Sequence, residues 1–320
     1  MENPAINILI VEPGDYSQQA LETYASMGNV VLFPALNMSL EEAIADAHTV
    51  VVRLKYLLDQ SILSKATQLK CIASPTTGLD HIDESYCAVH GIEIISLQGE
   101  RDFLSSIPST AEFTWALLLA LLRNIPAASQ HVNNDGWNRD LFKGHNLSGK
   151  KMGVLGLGRV GKQVAGYANA FGMQVFAYDP YVIDWKDDIE KLDDAASLFS
   201  QCDIVSIHIP AAGNDGFVSK ALLGQLKPGS YLINTSRGSV WDEEAVAALL
   251  KGGKIAGIAT DVIAGELEEA QRMQSPLLQL AKKRFDNLII TPHIAGATHE
   301  SMHATENFVA KKWAQYFSRL

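Results

Sequence analysis

Met152-Gly-Val-Leu-Gly156-Leu-Gly158-Arg-Val-Gly161 is the stretch from which the architecture of this chain can be read. Residues 152–157 are apolar and run into glycines, which predicts a buried parallel strand ending in a tight turn. From Arg159 to Phe171, Val160, Val164, Tyr167, Ala168 and Phe171 then recur at helical spacing. A second apolar run, Gln174 to Tyr178, ends in Asp179, 18 residues beyond Gly161 and near the spacing of about 20 typical of a dinucleotide-binding strand–helix–strand unit. In such a unit Gly156 permits the turn, Gly158 lets the backbone approach a pyrophosphate, and Gly161 lets the helix pack on its strand. The helix N-terminus presents unpaired N–H groups to the anion.

Asp179 is then placed to accept hydrogen bonds from the adenosine ribose. A carboxylate there repels a 2′-phosphate, and Pro180, Tyr181, Val182 and Ile183 offer no cation to bind one, so NAD is expected over NADP.

Outward from this unit, a length of 320 residues suggests two domains on a prior of about 100–200 residues each. With 47% hydrophobic and 19% charged residues there is material for buried cores, and no segment has a disordered composition. A net charge of −10 without clustered Lys and Arg argues against a nucleic-acid surface. Cys71, Cys87 and Cys202 lie far apart, with neither metal-ligand spacing nor a disulfide framework, which fits a reducing cytoplasm and no metal site. Met1 to Asn7 lacks the pattern of a secretory leader, and the apolar run Trp115–Leu122 is far short of the about 20 residues that span a bilayer. A buried helix and no membrane association are expected.

Apolar runs at Ile6–Val11, Val30–Phe33, Val50–Val52, Cys71–Ala73 and Ile92–Leu97 alternate with stretches of helical spacing, such as Leu21–Met27 and Tyr56–Leu63. They predict a first parallel α/β domain. From Met152 the pattern restarts, with strands expected at 152–157, 174–178, 204–207, 230–234, 255–260 and 287–291. Between the two, Ser109 and Glu112 read as a capping box opening a long apolar helix that joins the domains, and His299 to Leu320 reads as a final helix.

Oxidising a hydroxyl by hydride transfer needs a proton acceptor, a cation for the substrate and a cofactor nearby. His293 follows the strand Ile289-Ile-Thr291 and a proline; Arg237 follows Leu232-Ile-Asn234; Glu266 follows Ile255 to Asp261. All three are expected at the carboxyl ends of parallel strands, where α/β sheets place their sites. Imidazole suits proton transfer near neutral pH, a guanidinium can fork onto a carboxylate, and a carboxylate beside an imidazole stabilises its protonated form.

With the blocks Leu147-Ser-Gly-Lys150, Tyr178-Asp-Pro180, His208-Ile-Pro210, Lys227-Pro-Gly229, Asn234-Thr-Ser-Arg-Gly238 and Thr291-Pro-His-Ile294, these residues make the chain resemble the D-isomer-specific 2-hydroxyacid dehydrogenases over nearly its whole length. That family includes phosphoglycerate, D-lactate, glyoxylate/hydroxypyruvate and formate dehydrogenases. The resemblance implies two Rossmann/flavodoxin-like doubly wound parallel-sheet domains with a cleft between them: residues 1–103 and 293–320 as substrate domain, and 104–292 as NAD-binding domain. It implies that Arg237 binds the substrate, His293 is the acid/base and Glu266 orients it. It further implies that Arg159, Val160, His208, Pro210, Thr235 and Asp261 line the cofactor with the glycines and Asp179, and that Arg53, Thr77 and Gly78 touch the substrate. The chain departs from the family at Leu267, where a proline usually follows the glutamate, which puts the loop path in question.

The implied reaction interconverts a D-2-hydroxy acid and its 2-keto acid, with 3-phosphoglycerate and glyoxylate/hydroxypyruvate as the substrates to weigh. Arg53, Lys55, Arg139 and Lys143 are candidate cations for a phosphorylated acid, and Glu266 stands where the formate branch has glutamine. With the sequence running to Leu320, the regulatory domain that some phosphoglycerate dehydrogenases carry is not expected, and shorter members of the family lack it too, so the substrate is left open. Transcriptional corepressors resemble the same family, so an NAD-sensing binding protein is the second reading, separated from the first by turnover. The resemblance also implies a homodimer through the nucleotide domain, with Trp115–Arg123 and Asn124–Asn146 as the contact.

Overall fold

Each apolar run between Ile6 and Leu97 that the sequence marks as a strand pairs in parallel. β1 (Ile6–Ile10), β2 (Gly28–Leu32), β3 (Thr49–Val51), β4 (Cys71–Ala73) and β5 (Glu93–Ile95) form a sheet of order β2-β1-β3-β4-β5. The computed structural model describes residues 6–34, 38–186, 188–283 and 285–319. Met1–Ala5 of the leader reading and Leu320 of the final helix therefore lie outside the described residues.

Alternate residues of this sheet are buried on opposite faces. Leu9, Val50 and Ile72 join a core with Ile44, Leu63 and Cys87. Toward the other face lie helices Gln18–Ala25 and His299–Phe317, where the fully buried Trp313 packs edge-on to Tyr24 at 4.9 Å and donates its indole N–H to Thr49 Oγ1 at 3.0 Å. An indole buried with its one donor satisfied contributes area without an orphaned polar group. Contacts cluster Met1–Leu104 with Ala297–Leu320 as one compact unit and Ser105–Gly296 as another, so His293 to Gly296 stay with the second unit, later than the return at 293 read from the sequence.

The second unit holds β6 (Lys151–Leu155), β7 (Gln174–Tyr178), β8 (Glu190–Lys191), β9 (Ile204–Ile207), β10 (Tyr231–Asn234), β11 (Gly257–Thr260) and β12 (Leu288–Ile290). Among the described residues they form one parallel sheet of order β12-β11-β10-β9-β6-β7-β8. Both faces are covered, which is why the strands read as continuous apolar runs. Met152, Val154, Val175, Ile204 and Ile233 meet helices Ser109–Leu122 and Arg159–Ala170. Leu155, Phe176, Val205, Leu232 and Ile258 meet Leu198, Phe199, Val246, Leu250 and Leu277 on the opposite side.

Three local expectations are corrected. Ser109 is not the N-cap of its helix: Pro108 holds that position, its carbonyl accepts from Glu112 N, and Ser109 already lies within the first turn with no side-chain cap. That helix belongs wholly to the second unit, and the chain passes between the units at 104/105, in helix Arg101–Ser105. Of Tyr56–Leu63 only Gln60–Leu63 is helical, because Asp59 caps it by accepting from Ser61 N and Ile62 N. The stretch Arg101–Leu122 is long and apolar enough by length and composition to cross a membrane. Its Ala111, Trp115, Leu118 and Leu122 are built into the second unit's core, as in a core helix.

Candidate active site

The glycine turn has the geometry that its sequence demands. Gly156 ends β6 at φ +90°, a region open to glycine, and a Cβ there would stand 2.8 Å from the His208 carbonyl oxygen. β6 and β9 are sheet neighbours although β7 and β8 intervene in sequence, so Gly156 and His208 meet at the sheet's topological switch point, where open α/β sheets bind ligands. A Cβ on Gly161 would lie 2.1 Å from Gly156 O, which forces glycine at the helix–strand contact. Around Gly158, by contrast, a Cβ would meet nothing within 4 Å. Gly158 is the N-cap of a 12-residue helix and supplies no side chain to its first N–H groups, the donors that a helix N-terminus offers as an anion cradle.

Asp179 is fixed above this cradle by Leu157 N on Oδ2 (2.8 Å) and Tyr181 N on Oδ1 (2.9 Å). Arg159 and Val160 begin the helix, and Arg159 Nη1 donates to Ile107 O at 2.9 Å, tying the side chain to the segment before helix Ser109–Leu122. Burial pushes the His208 imidazole down to about 3, so it is neutral at working pH, with Nε2 2.8 Å from Ser206 Oγ. Pro210 is exposed and its carbonyl accepts from Asn214 Nδ2. Thr235 turns inward. Since Thr114 Oγ1 donates to Thr110 O, the 2.8 Å contact between the two hydroxyls has Thr235 donating to Thr114. The cradle, the open approach at Gly158 and the fixed carboxylate of Asp179 fit a dinucleotide.

β10, β11 and β12 are adjacent and parallel, so Arg237, Glu266 and His293 all follow strands that end on one edge of the sheet. His293 Nδ1 lies 2.5 Å from Glu266 Oε1. Glu268 and Glu269 are exposed beside it. A carboxylate only accepts, so the imidazole proton of this pair sits on Nδ1, leaving Nε2 as the atom that can take up or release a proton.

His293 is held at φ +55°, a left-handed conformation unusual for a residue with a side chain. Its N–H donates to Asp261 O (2.9 Å), while the buried Asp261 carboxylate accepts from Thr291 Oγ1 (2.5 Å), Ile294 N (2.9 Å) and Ala295 N (2.7 Å). Burial pushes the Asp261 carboxyl above its ordinary range, against the opposing pull of those donors.

Arg237 sits at the end of a turn organised by Asn234. The buried amide accepts from Ser236 N and Oγ and donates to Arg237 O, while Arg237 Nη1 donates to Ser236 O. The next residue, Gly238, lies against the loop after β11 so closely that a Cβ would stand 2.0 Å from the Ile263 carbonyl carbon. This close approach joins the Arg237 turn to the Glu266 loop. Asn234, Gly238, Asp261 as anchor of the His293 loop, and Thr291 escaped the sequence reading as site-forming residues. An asparagine at a strand end two residues before a serine was the available signal.

In the first unit Arg53 is committed internally. Nη1 pairs with Glu306 Oε1 at 3.0 Å, Nη2 donates to the carbonyls of Glu12 and Gly14, and Nε lies 3.4 Å from Glu12 Oε2. Thr77 and Gly78 lie in a loop after β4 shaped by Thr76 Oγ1 donating to Gly78 O and by Ser74 Oγ, 2.8 Å from Thr76 Oγ1.

Residues 115–295 match the family model of D-isomer specific 2-hydroxyacid dehydrogenase, NAD binding domain. The chain is 34% identical over 312 residues to D-3-phosphoglycerate dehydrogenase of Methanocaldococcus jannaschii, covering 96% of this chain and 56% of that protein. It is 34% identical over 304 residues to the protein of that name from Archaeoglobus fulgidus, covering 92% and 54%. It thus spans about half the length of the curated relatives it matches. Among solved structures, D-lactate dehydrogenase from Aquifex aeolicus, complexed with NAD and lactic acid, aligns with a TM-score of 0.82 at 26% identity over 98% of this chain and 95% of that one.

Proposed function

The chain belongs to the D-isomer specific 2-hydroxyacid dehydrogenase family, and from that premise we propose that it interconverts a D-2-hydroxy acid and its 2-keto acid with NAD. The observation that carries the reading is the Glu266–His293 pair, 2.5 Å apart in the same unit as the dinucleotide cradle. Held by the Gly156–Gly161 turn and Asp179, NAD would supply the acceptor for the hydride leaving the hydroxyl-bearing carbon, and NADH the donor in reverse. His293 Nε2 accepts the hydroxyl proton in oxidation and donates it in keto-acid reduction, while Glu266 stays on Nδ1 and stabilises the imidazolium. Arg237 holds the substrate carboxylate and the reacting oxygen by charge-assisted hydrogen bonds; Thr77 and Gly78 are proposed as substrate-binding residues.

For NADP the residue set is unfavourable, since Asp179 offers a second negative charge where a 2′-phosphate would sit. The substrate proposal is 3-phosphoglycerate or glyoxylate/hydroxypyruvate. The first is the acid in the names of the relatives at 34% identity. The candidate cations for a phosphorylated acid are Lys55, Arg139, Lys143 and Arg53, the last of which also pairs with Glu306 and Glu12. A homodimer in the cytoplasm is proposed as well. It is supported by Ile125, Val132, Leu141 and the 90% exposed Trp137, apolar side chains of the 124–146 segment left uncovered in the single chain.

The test is loss of NADH absorbance with purified protein against glyoxylate, hydroxypyruvate, 3-phosphohydroxypyruvate, pyruvate, oxaloacetate and bulkier 2-keto acids. Preference for one acid names the substrate. Failure on every acid with NADH binding intact would overturn the dehydrogenase reading.

A further inference from the structure

The loop Val262–Ser275 carries Glu266 from β11 to helix Pro276–Ala281, and side chains outside the catalytic set hold it at three points. At its start, Glu243 Oε2 accepts from Ala264 N at 2.9 Å, reaching across from helix Glu243–Lys251. At its end, Glu243 Oε1 accepts a short hydrogen bond from Ser275 Oγ, which in turn accepts from Leu278 N and so caps the next helix. In the middle, Arg272 Nη1 donates to the backbone oxygen of Glu266 itself at 2.8 Å. Glu243 and Ser275 are both buried.

The loop supplies little order of its own at Glu266. Its short helix, Glu269–Arg272, starts at Glu268 without a side-chain cap, and Gly265 turns at φ +65°. Among the described residues, Glu266 Oε2 receives a long 3.3 Å contact from Ile263 N. The carboxylate that meets His293 is therefore placed by its backbone, and its backbone is placed by Arg272 and Glu243. A displacement of about 1 Å in such a pair is enough to cost on the order of 100-fold in rate.

We propose that Arg272 and Glu243 are positioning residues for the Glu266–His293 pair, acting through the backbone of the Val262–Ser275 loop. The proposal rests on the reading of that pair as the acid/base of the reaction. Neither side chain touches substrate or cofactor in this scheme. Their removal should lower kcat and leave cofactor affinity alone.

The experiment measures kcat, KM for the preferred 2-keto acid and NADH affinity for R272A and E243A, alone and combined with E266Q. The expected result is a fall in kcat of about 10-fold or more in each single variant with NADH affinity unchanged, and no further fall when either is added to E266Q. R272K keeps one donor for Glu266 O, and E243Q keeps an acceptor for Ala264 N, so both should recover most of the rate. Equal fractional losses in the wild-type and E266Q backgrounds would overturn the proposal, as would losses that E243Q and R272K do not relieve. Amide exchange over residues 262–275 is the second arm, and it does not depend on turnover. Faster exchange at Ala264 in E243A and at the Glu266 turn in R272A is expected, and unchanged exchange would overturn the clamp even if the dehydrogenase reading stood. A wild-type protein that reduces no 2-keto acid, yet shows these exchange changes, would overturn the functional reading and leave the clamp as loop architecture.

Discussion

Replacing Asp261 by asparagine tests whether the His293 loop is held by one buried carboxylate. Asp261 is 1% exposed and accepts from three donors, Thr291 Oγ1 and Ile294 N on Oδ1 and Ala295 N on Oδ2. The amide that replaces the carboxylate in D261N keeps one oxygen. If that oxygen serves the two Oδ1 donors, the new NH2 faces Ala295 N–H, leaving a buried donor unpaired at a cost of about 1–3 kcal/mol. The two surviving bonds lose their charge assistance and fall to roughly half their strength, which brings the total to about 2–5 kcal/mol. Part of that loss should appear locally, because the φ +55° conformation of His293 is itself worth about 1–3 kcal/mol of strain that the surrounding bonds must outweigh. Urea unfolding at pH 7 with amide exchange at Ile294 and Ala295 is the assay, and kcat should fall by about 10-fold or more as His293 relaxes. Stability within about 0.5 kcal/mol of wild type, with both amides still protected, would refute the anchoring argument.

Three other perturbations follow from the same geometry. With its folded value pushed down to about 3, His208 binds fewer protons in the native than in the unfolded state between there and the ordinary value of about 6.5. Stability should therefore be lost as pH falls through that window, by up to about 1.4 kcal/mol per pH unit, and H208Q should flatten that slope in unfolding titrations. G238A places a methyl 2.0 Å from the Ile263 carbonyl carbon and should cost about 1–3 kcal/mol by calorimetry, with the Arg237 turn displaced and KM for the keto acid raised. R53M strands the fully buried Glu306 without its cation and should cost about 3–5 kcal/mol in urea unfolding, whereas E306Q/R53M together should recover much of it; a mild R53M would contradict a structural role for this arginine.

The fold was legible where one physical requirement dominated the sequence. Strands covered on both faces, such as Met152–Leu155, must be largely apolar, and Gly156 and Gly161 stand where any Cβ would strike backbone. The two-residue β8 went unread because Glu190 and Lys191 are exposed and carry no alternation. The Ser109 capping box fitted the pattern but not the structure, because the choice between Pro108 and Ser109 as N-cap turns on which carbonyl takes the first helical bond. Within the site, Glu266 and His293 could be named from strand ends and family pattern. Their supports could not, because Glu243 acts on Ala264 and Ser275, 21 and 32 residues away, and Asp261 on Ile294 and Ala295, 33 and 34 away. Contacts from a side chain to distant backbone leave no local periodicity. For Arg53 the charge is visible in sequence, whereas its pairing with Glu12 and Glu306, 41 and 253 residues away, is not.

The most direct test of the central claim follows the hydrogen itself. Wild-type protein and H293A are each incubated with NADH carrying two deuterium atoms at C4 and the preferred 2-keto acid, and the hydroxy-acid product is analysed by mass and by chiral separation. The expected product is a D-2-hydroxy acid carrying one deuterium at C2, formed at least about 100-fold more slowly by H293A while NADH binding persists. Product without the label, product of the L configuration, or an H293A rate near that of wild type would contradict it.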